Sequence, residues 1–499
     1  MFVQSATSVA LPAPTGGWNA KDNLAAMPLS DAVRMDNWIP DTSSVRLRSG
    51  DTEYASGLSG NVETLITHVS DSAEKFLAAS DGNIYNISSS GAVSGTLGTG
   101  FTNARWIWDN FGDKTILVNG ADTPQSYDGS TLSSAGFSGP TVTNLNSVTQ
   151  VRDRLWFTEK DQAWVWYGSI GGVTGALTKF DLSQIATGGH CVRVAKWSRD
   201  AGDGMDDLTV FLMSTGQVIV YQGDPSSTFS LVGKFSMPAP LGKRCFVQIG
   251  GDLVVLTRGG YVPLSAMMAE GDLENRYLSS KIRNAVKEAV DDAGANFGWE
   301  AIRTPDSKFL VVNVPLTTNS EYQQHVVNLF NGSWCRFTGR QARCFGVFQN
   351  QLYFGGSTKV YQADAGLTDA SRSGASISAT CQQAFTAFQT PGQKLITLLR
   401  PTIEAGGTAT ATFAVKADFD TTNVLSNLQT FGASFDTWEQ AAQSWDNWES
   451  MWDEGAGVNT FVTSADSLGE YHSVVAQLQS NNTFKWFNTG LVIKQGGLI

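Results

Sequence analysis

The sequence predicts a mainly β protein: a β-propeller-like repeat domain with an inserted helix, plus a C-terminal β-sandwich domain. Three observations carry that expectation. A hairpin pattern recurs through the middle of the chain, glycine is in excess, and plain apolar–polar alternation takes over after about residue 371. Glycine fills 51 of 499 positions, above the average of about 7%, which suits tight turns between short strands. With 41% hydrophobic and only 16% charged residues, the chain has the material for a packed core and does not read as disordered.

Residues 1–60 read as an N-terminal arm and first strand. Gly16-Gly17 and Pro28 punctuate an extended segment, Asp36-Asn37-Trp38-Ile39-Pro40 makes a turn around a buried aromatic, and Val45–Arg48 forms a strand. Residues 61–370 read as the repeat domain. A short apolar run, a polar or glycine turn and a second run ending near a large residue recur with starts at 75, 114, 154, 208, 252, 308 and 351. Turn chemistry such as SDGN and STGQ between β-branched and aromatic runs marks each unit as a hairpin. Periods of about 40–50 residues with roughly four short strands each are the signature of propeller blades. No WD or kelch signature repeats, so the geometry is inferred from spacing, against an irregular pair of β-sandwiches.

Two insertions stretch the period. RDAGDGMDDL (199–208) reads as an acidic, glycine-rich loop. Residues 269–293 read as the one helix, with Leu278, Ile282, Val286 and Val290 on a single stripe and Gly294 as its stop. Residues 371–499 read as the sandwich, carrying Trp438, Trp445, Trp448 and Trp452 at steps of 7, 3 and 4. That tryptophan cluster reads as intramolecular core first, an inter-subunit surface second, and a sugar-stacking platform third.

The chemistry-bearing residues form no constellation, and no catalytic, cofactor or metal residues are assigned. The histidines, His68, His190, His325 and His472, are scattered. Cys335 and Cys344 lack a zinc partner motif, and His190 and Cys191, adjacent on a strand, point to opposite faces. There is no GxSxG, no P-loop and no helix-opening GxGxxG. Asp200, Asp203, Asp206 and Asp207 superficially suggest a calcium loop but lack its ligand order and closing Glu. Five cysteines without close pairing predict reduced, buried thiols. The N-terminus has no signal-peptide pattern, and no apolar run is long enough to span a bilayer, so cytoplasmic synthesis of a soluble protein is expected. A net charge of −12 argues against a nucleic-acid grip, which calls for a basic patch.

The segment GGWNAKDNLAAMPLSDAVRMDNWIPDTSSVRLRSG (16–50) resembles the opening of short-tailed phage tail proteins of the tail nozzle, tail tubular protein B-like or packaged-DNA stabilisation class. Gly16, Gly17, Asn19, Met27, Pro28, Asp31, Ala32, Asp36, Asn37, Pro40, Arg46, Arg48 and Gly50 carry the likeness. The tryptophan string and the run from Phe385 through Pro391 to Arg400-Pro401 are similar as well. The resemblance implies a virion tail component assembled in the host cytoplasm. It implies a homohexameric ring on the portal–adaptor axis that meets the head–tail adaptor and tail fibre or spike proteins. Double-stranded DNA would be retained and then ejected through its lumen without specific binding, with no membrane anchor and no enzymatic turnover. The competing expectations are a carbohydrate-binding or glycoside-cleaving propeller, and a propeller scaffold for host peptides.

Overall fold

The computed structural model describes residues 6–71, 74–200, 205–268, 274–318, 320–389, 392–407, 409–422, 429–431 and 458–495. It is mainly β, and its chain divides into two compact units: Glu53–Gln324 with Gln341–Ala363, and Met1–Thr52 with His325–Arg340 and Asp364–Ile499.

The first of these is a β-propeller, built from seven antiparallel meanders in chain order. Each predicted hairpin run is the second strand of one meander: Glu74–Ser80, Lys114–Val118, Arg154–Glu159, Met205–Met213, Asp252–Thr257, Phe309–Thr317 and Gln351–Gly355. The strand before each run pairs with it and lies innermost: Asp51–Val69, Ile107–Phe111, Leu145–Val151, Cys191–Asp200, Phe246–Ile249, Glu300–Arg303 and Phe345–Phe348. The second to fifth meanders are free-standing sheets of four, four, four and three strands. The turns obey local chemistry. Gly216, in the STGQ turn, has φ +89°, and a Cβ there would sit 2.0 Å from the Met237 carbonyl, so no other residue fits.

Every sheet is apolar on both faces, so each needs a neighbour on both sides. Ile66, Leu77 and Ile84 of the first sheet pack on Leu117 and Tyr127 of the second. Ile116 and Val118 meet Val148 and Phe157 of the third, whose Trp156 and Val165 meet Phe211 and Ile219 of the fourth. The ring closes where the seventh sheet meets the first. Phe76 stacks on Phe348 with ring centres 4.9 Å apart, inside a cluster with Leu65, Ala78, Tyr353 and Val360. The long strand Asp51–Val69 also pairs with Ser357–Ala363, so it serves the last sheet as well as the first.

The predicted helix is shorter than expected. The α-helix runs Arg283–Ala293, preceded by 3-10 turns at Glu274–Arg276 and Ser280–Ile282; residues 269–273 lie outside the described set. The cause is local: the Leu278 N–H bonds the Tyr261 carbonyl, and Ser279 Oγ accepts from the Tyr261 N–H at 3.0 Å, which draws this stretch onto a strand. Ile282, Val286 and Val290 are buried as the stripe requires, and Gly294 sits at the C-cap. The acidic loop is also mostly strand: Arg199 pairs with Asp206 and Asp200 with Met205, leaving four residues outside the described set at its tip.

The second unit is a sandwich made from both chain ends. Of residues 1–60, expected as an arm and first strand, the described ones up to Thr52 belong to it: Thr7–Pro12 pairs antiparallel with Phe484–Gln495, and Asp31–Asp36 pairs with Ala375–Gln383. One sheet carries Trp38 and Trp486, the other Phe413, and Phe413 meets Trp486 edge-on with ring centres 5.4 Å apart. The alternation visible after residue 371 supplies these facing layers. Trp438, Trp445, Trp448 and Trp452 lie outside the described residues. Among the described residues no helix is long and apolar enough to cross a membrane.

Closure of the ring through Phe76 yields a prediction. Phe76→Ala should lower the unfolding free energy by about 3–5 kcal/mol, read as the urea midpoint at unchanged slope. A loss below about 1 kcal/mol would mean the first and last sheets do not depend on each other.

Candidate functional sites

Two arrangements stand out, one in each unit. In the sandwich unit the tail-like segment forms a buried polar framework. Gly17 has φ +84°, and a Cβ there would meet the Trp334 carbonyl at 2.6 Å, which explains its identity. Asn19 folds its own turn by accepting the N–H groups of Lys21 and Asp22, and donates to Asp31 at 2.8 Å. Asp36 takes a two-pronged bond from Arg336, at 2.7 and 3.0 Å, and another from Arg34.

Asn37 is the hub. It adopts φ +60°, breaking the strand, and its amide donates to Thr338 and to the Ser378 carbonyl while its oxygen accepts from Thr338 N–H and Arg48 Nε. Arg48 then grips Asp369 with two 2.7 Å bonds, both side chains fully buried. A guanidinium fork matched to a carboxylate is among the strongest geometries available to a buried pair. Trp38 packs edge-on against Phe484 and Trp486. Asp36, Asn37 and Arg48 of the matched segment are therefore tied to the strands Trp334–Thr338, Thr368–Asp369 and Ala375–Gln383.

In the propeller unit the innermost strands surround an axial cavity of about 320 Å³. Side-chain to backbone bonds link neighbouring strands around it. Trp108 Nε1 donates to the Leu65 carbonyl, Gln150 N–H to Asp109, Thr149 to the Val194 carbonyl and Arg193 to the Lys243 carbonyl. Arg244 pairs with Glu300 at 3.4 Å, Phe345 N–H donates to Glu300, and Thr67 donates to the Val347 carbonyl. Arg244 also reaches Thr64 Oγ1 at 2.6 Å and the Trp106 carbonyl, joining the fifth sheet to the first and second.

Burial pushes the Glu300 carboxyl above its usual range, opposed by Arg244. Asp109 is likewise raised by burial, against the Gln150 N–H and the field of Arg193. Burial pulls Arg193 downward. The sequence reading missed Arg193, Arg244 and Glu300. Their signal is positional: each lies on the stretch just before a hairpin run, the stretch that faces the axis.

The remaining sequence candidates separate. Cys191 Sγ faces the Arg193 carbonyl while His190 receives no bond from it, and burial lifts the thiol to about 12. All five cysteines are free and buried. Of the acidic hairpin, the Asp207 side chain is held by Lys196 at 2.8 Å and by Ser198. Among the described residues no group of three or more His, Cys, Asp or Glu could hold a metal ion.

The framework makes two predictions. Arg48→Met should cost about 3–5 kcal/mol by stranding a buried carboxylate, and adding Asp369→Leu should recover most of it; additive losses in denaturation would contradict the pairing. His325, fully buried against Trp18, is held down to about 3 by desolvation and then by Arg336. A depressed histidine contributes stability that is complete above its unfolded value near 6.5 and is lost as pH falls toward 3. His325→Phe should therefore flatten the stability–pH curve over that window by up to about 1.4 kcal/mol per unit.

No protein-family model matches the chain, and no curated protein sequence matches it. Several solved structures are similar to it. The WD40 propeller domain of Doa1 has 12% identity and a TM-score of 0.38, over 63% of this chain and 96% of that one. Raptor of Chaetomium thermophilum has 12% identity and a TM-score of 0.38, over 63% of this chain and 29% of that one. BBS1N, in its complex with ARL6DN, has 10% identity and a TM-score of 0.41, over 64% and 98%. The seven meanders are given by the strand pairings of this chain itself, four of them as separate sheets.

Proposed function

We propose that the chain is a structural subunit of a short-tailed phage tail, forming a homohexameric nozzle below the portal and adaptor through which the genome is retained and then ejected. The observation that carries this reading is the segment 16–50. Its Gly17, Asn19, Asp31, Asp36, Asn37 and Arg48 resemble the tail-protein signature, and in this chain Asp36, Asn37 and Arg48 tie the segment to strands some 300 residues away. A segment with that job belongs to a stiff building block.

Two further observations support it. An axial cavity of about 320 Å³ cannot pass a duplex whose major groove alone is about 12 Å wide, so the genome's path is a hole enclosed by several copies. A net charge of −12 keeps a polyanion from sticking to such a wall. Leu398, Val458, Val462 and Leu468 stand exposed on or beside the adjoining strands Lys394–Ala405, Val458–Thr460 and Thr463–Gly469. Grouped exposed apolar residues mark contact surfaces, and a neighbouring subunit is the partner this role supplies. The head–tail adaptor and tail fibre or spike proteins are its further partners.

Multi-angle light scattering and negative-stain microscopy of the concentrated full chain test the proposal. The expected particle is a six-fold hollow ring that dissociates to monomers on Leu398→Glu with Leu468→Glu. A wild-type chain that stays a single globule under the same conditions overturns it.

A further inference from the structure

The axial cavity has an unbalanced charge. Its walls include two guanidinium groups, Arg193 and Arg244, and the carboxylate of Glu300, among Trp108, Phe246 and Phe345. Arg244 is engaged through both terminal nitrogens by Glu300, Thr64 and the Trp106 carbonyl. Glu300 in turn accepts from Arg244 and Phe345 N–H. Asp109, the next acid toward Arg193, accepts the N–H groups of Gln150 and Asn110.

Arg193 differs from all of these. Its one hydrogen bond among the described residues runs from Nη1 to the Lys243 carbonyl at 2.9 Å, and no carboxylate oxygen there lies within ion-pair distance of it. A guanidinium carries five donors in a planar fork, so most of this fork has no hydrogen-bond partner among the described residues, on a side chain that lines the cavity. Asp109 and Glu300 act on this charge through space without contacting it, and the side chain keeps part of its surface open. Its position is fixed, because Arg193 sits on the innermost strand of the fourth sheet and is tied to the fifth.

The cavity has room for on the order of ten water molecules at about 30 Å³ each. That volume suits a small oxyanion with part of its hydration shell and excludes a polymer. A planar fork selects an anion with two oxygens side by side, which carboxylates and phosphates both present. The aromatic walls lower the local dielectric and so strengthen the pairing.

We infer that the propeller axis is a binding site for a small carboxylate- or phosphate-bearing molecule, held by the free fork of Arg193 and flanked by the Arg244–Glu300 pair. This inference does not depend on the tail role. The site also links ligand to architecture, since an anion on Arg193 sits among the strands that close the ring and adds to their stability in proportion to its occupancy.

The test is a thermal-unfolding titration of the full chain with inorganic phosphate and, separately, with succinate, at ionic strength held constant with chloride. The wild type should show a saturable rise in melting temperature with at least one of the two. Arg193→Met should weaken the apparent affinity at least tenfold while retaining the wild-type circular dichroism. Arg193→Lys keeps the charge without the fork and should weaken it by a smaller factor, which preserves the test should the Met variant fail to fold. Equal titration curves for the wild type and Arg193→Lys, or no saturable rise with either anion in the wild type, overturn the inference.

Discussion

A sheet that is apolar on both faces has no stable free state, and the propeller unit consists of seven of them. The constraint on which everything else in that unit depends is that the last sheet must return to the first. The chain meets it in two ways. Phe76 and Phe348 stack across the junction, and the strand Asp51–Val69 lends hydrogen bonds to both sheets. Once the ring is shut, each inner strand is flanked on both sides, and side-chain bonds such as Thr67 to Val347 and Thr149 to Val194 can fix their spacing. Without closure those bonds would join elements free to splay apart. The axial cavity, with its Arg244–Glu300 pair and its half-engaged Arg193, is a consequence of that enclosure.

The sandwich unit solves a different problem. Its strands come from residues far apart in the chain, so loop-closure entropy opposes their meeting. Apolar layers alone would bury Trp38, Phe413 and Trp486 without deciding which strand lies where. Asn37 and Arg48 supply that decision, because a buried amide or guanidinium is tolerated only when its partners are in place. One residue of slippage would strand the Arg48–Asp369 pair.

Much of the fold could be read in advance, and the reason is local chemistry. A hairpin announces itself within about fifteen residues: the run Glu74–Ser80 is followed by Asp81 and Gly82, both at positive φ, as a tight turn requires. The second strand of every meander was visible for that reason. Innermost strands such as Glu300–Arg303 were not, since their partners lie across the ring and leave no short-range pattern. The helix is legible at Val286 and Val290 but shorter than its apolar stripe, because the pull of Tyr261 on Leu278 and Ser279 is a tertiary contact. The same holds for the sites. Asp36, Asn37 and Arg48 attracted attention as a segment, yet their partners Arg336, Thr338 and Asp369 lie some 300 residues away, and the axial charges come from separate repeats.

Native-state hydrogen exchange followed by mass spectrometry gives the most direct view of ring closure. If the seven sheets form one shut ring, the amides of Ile66, Leu77 and Val347 should exchange only through the same cooperative opening that exposes Val118, Phe157 and Phe211. Early exchange of the first and last sheets, while the third and fourth remain protected, would show an open arc and contradict the account.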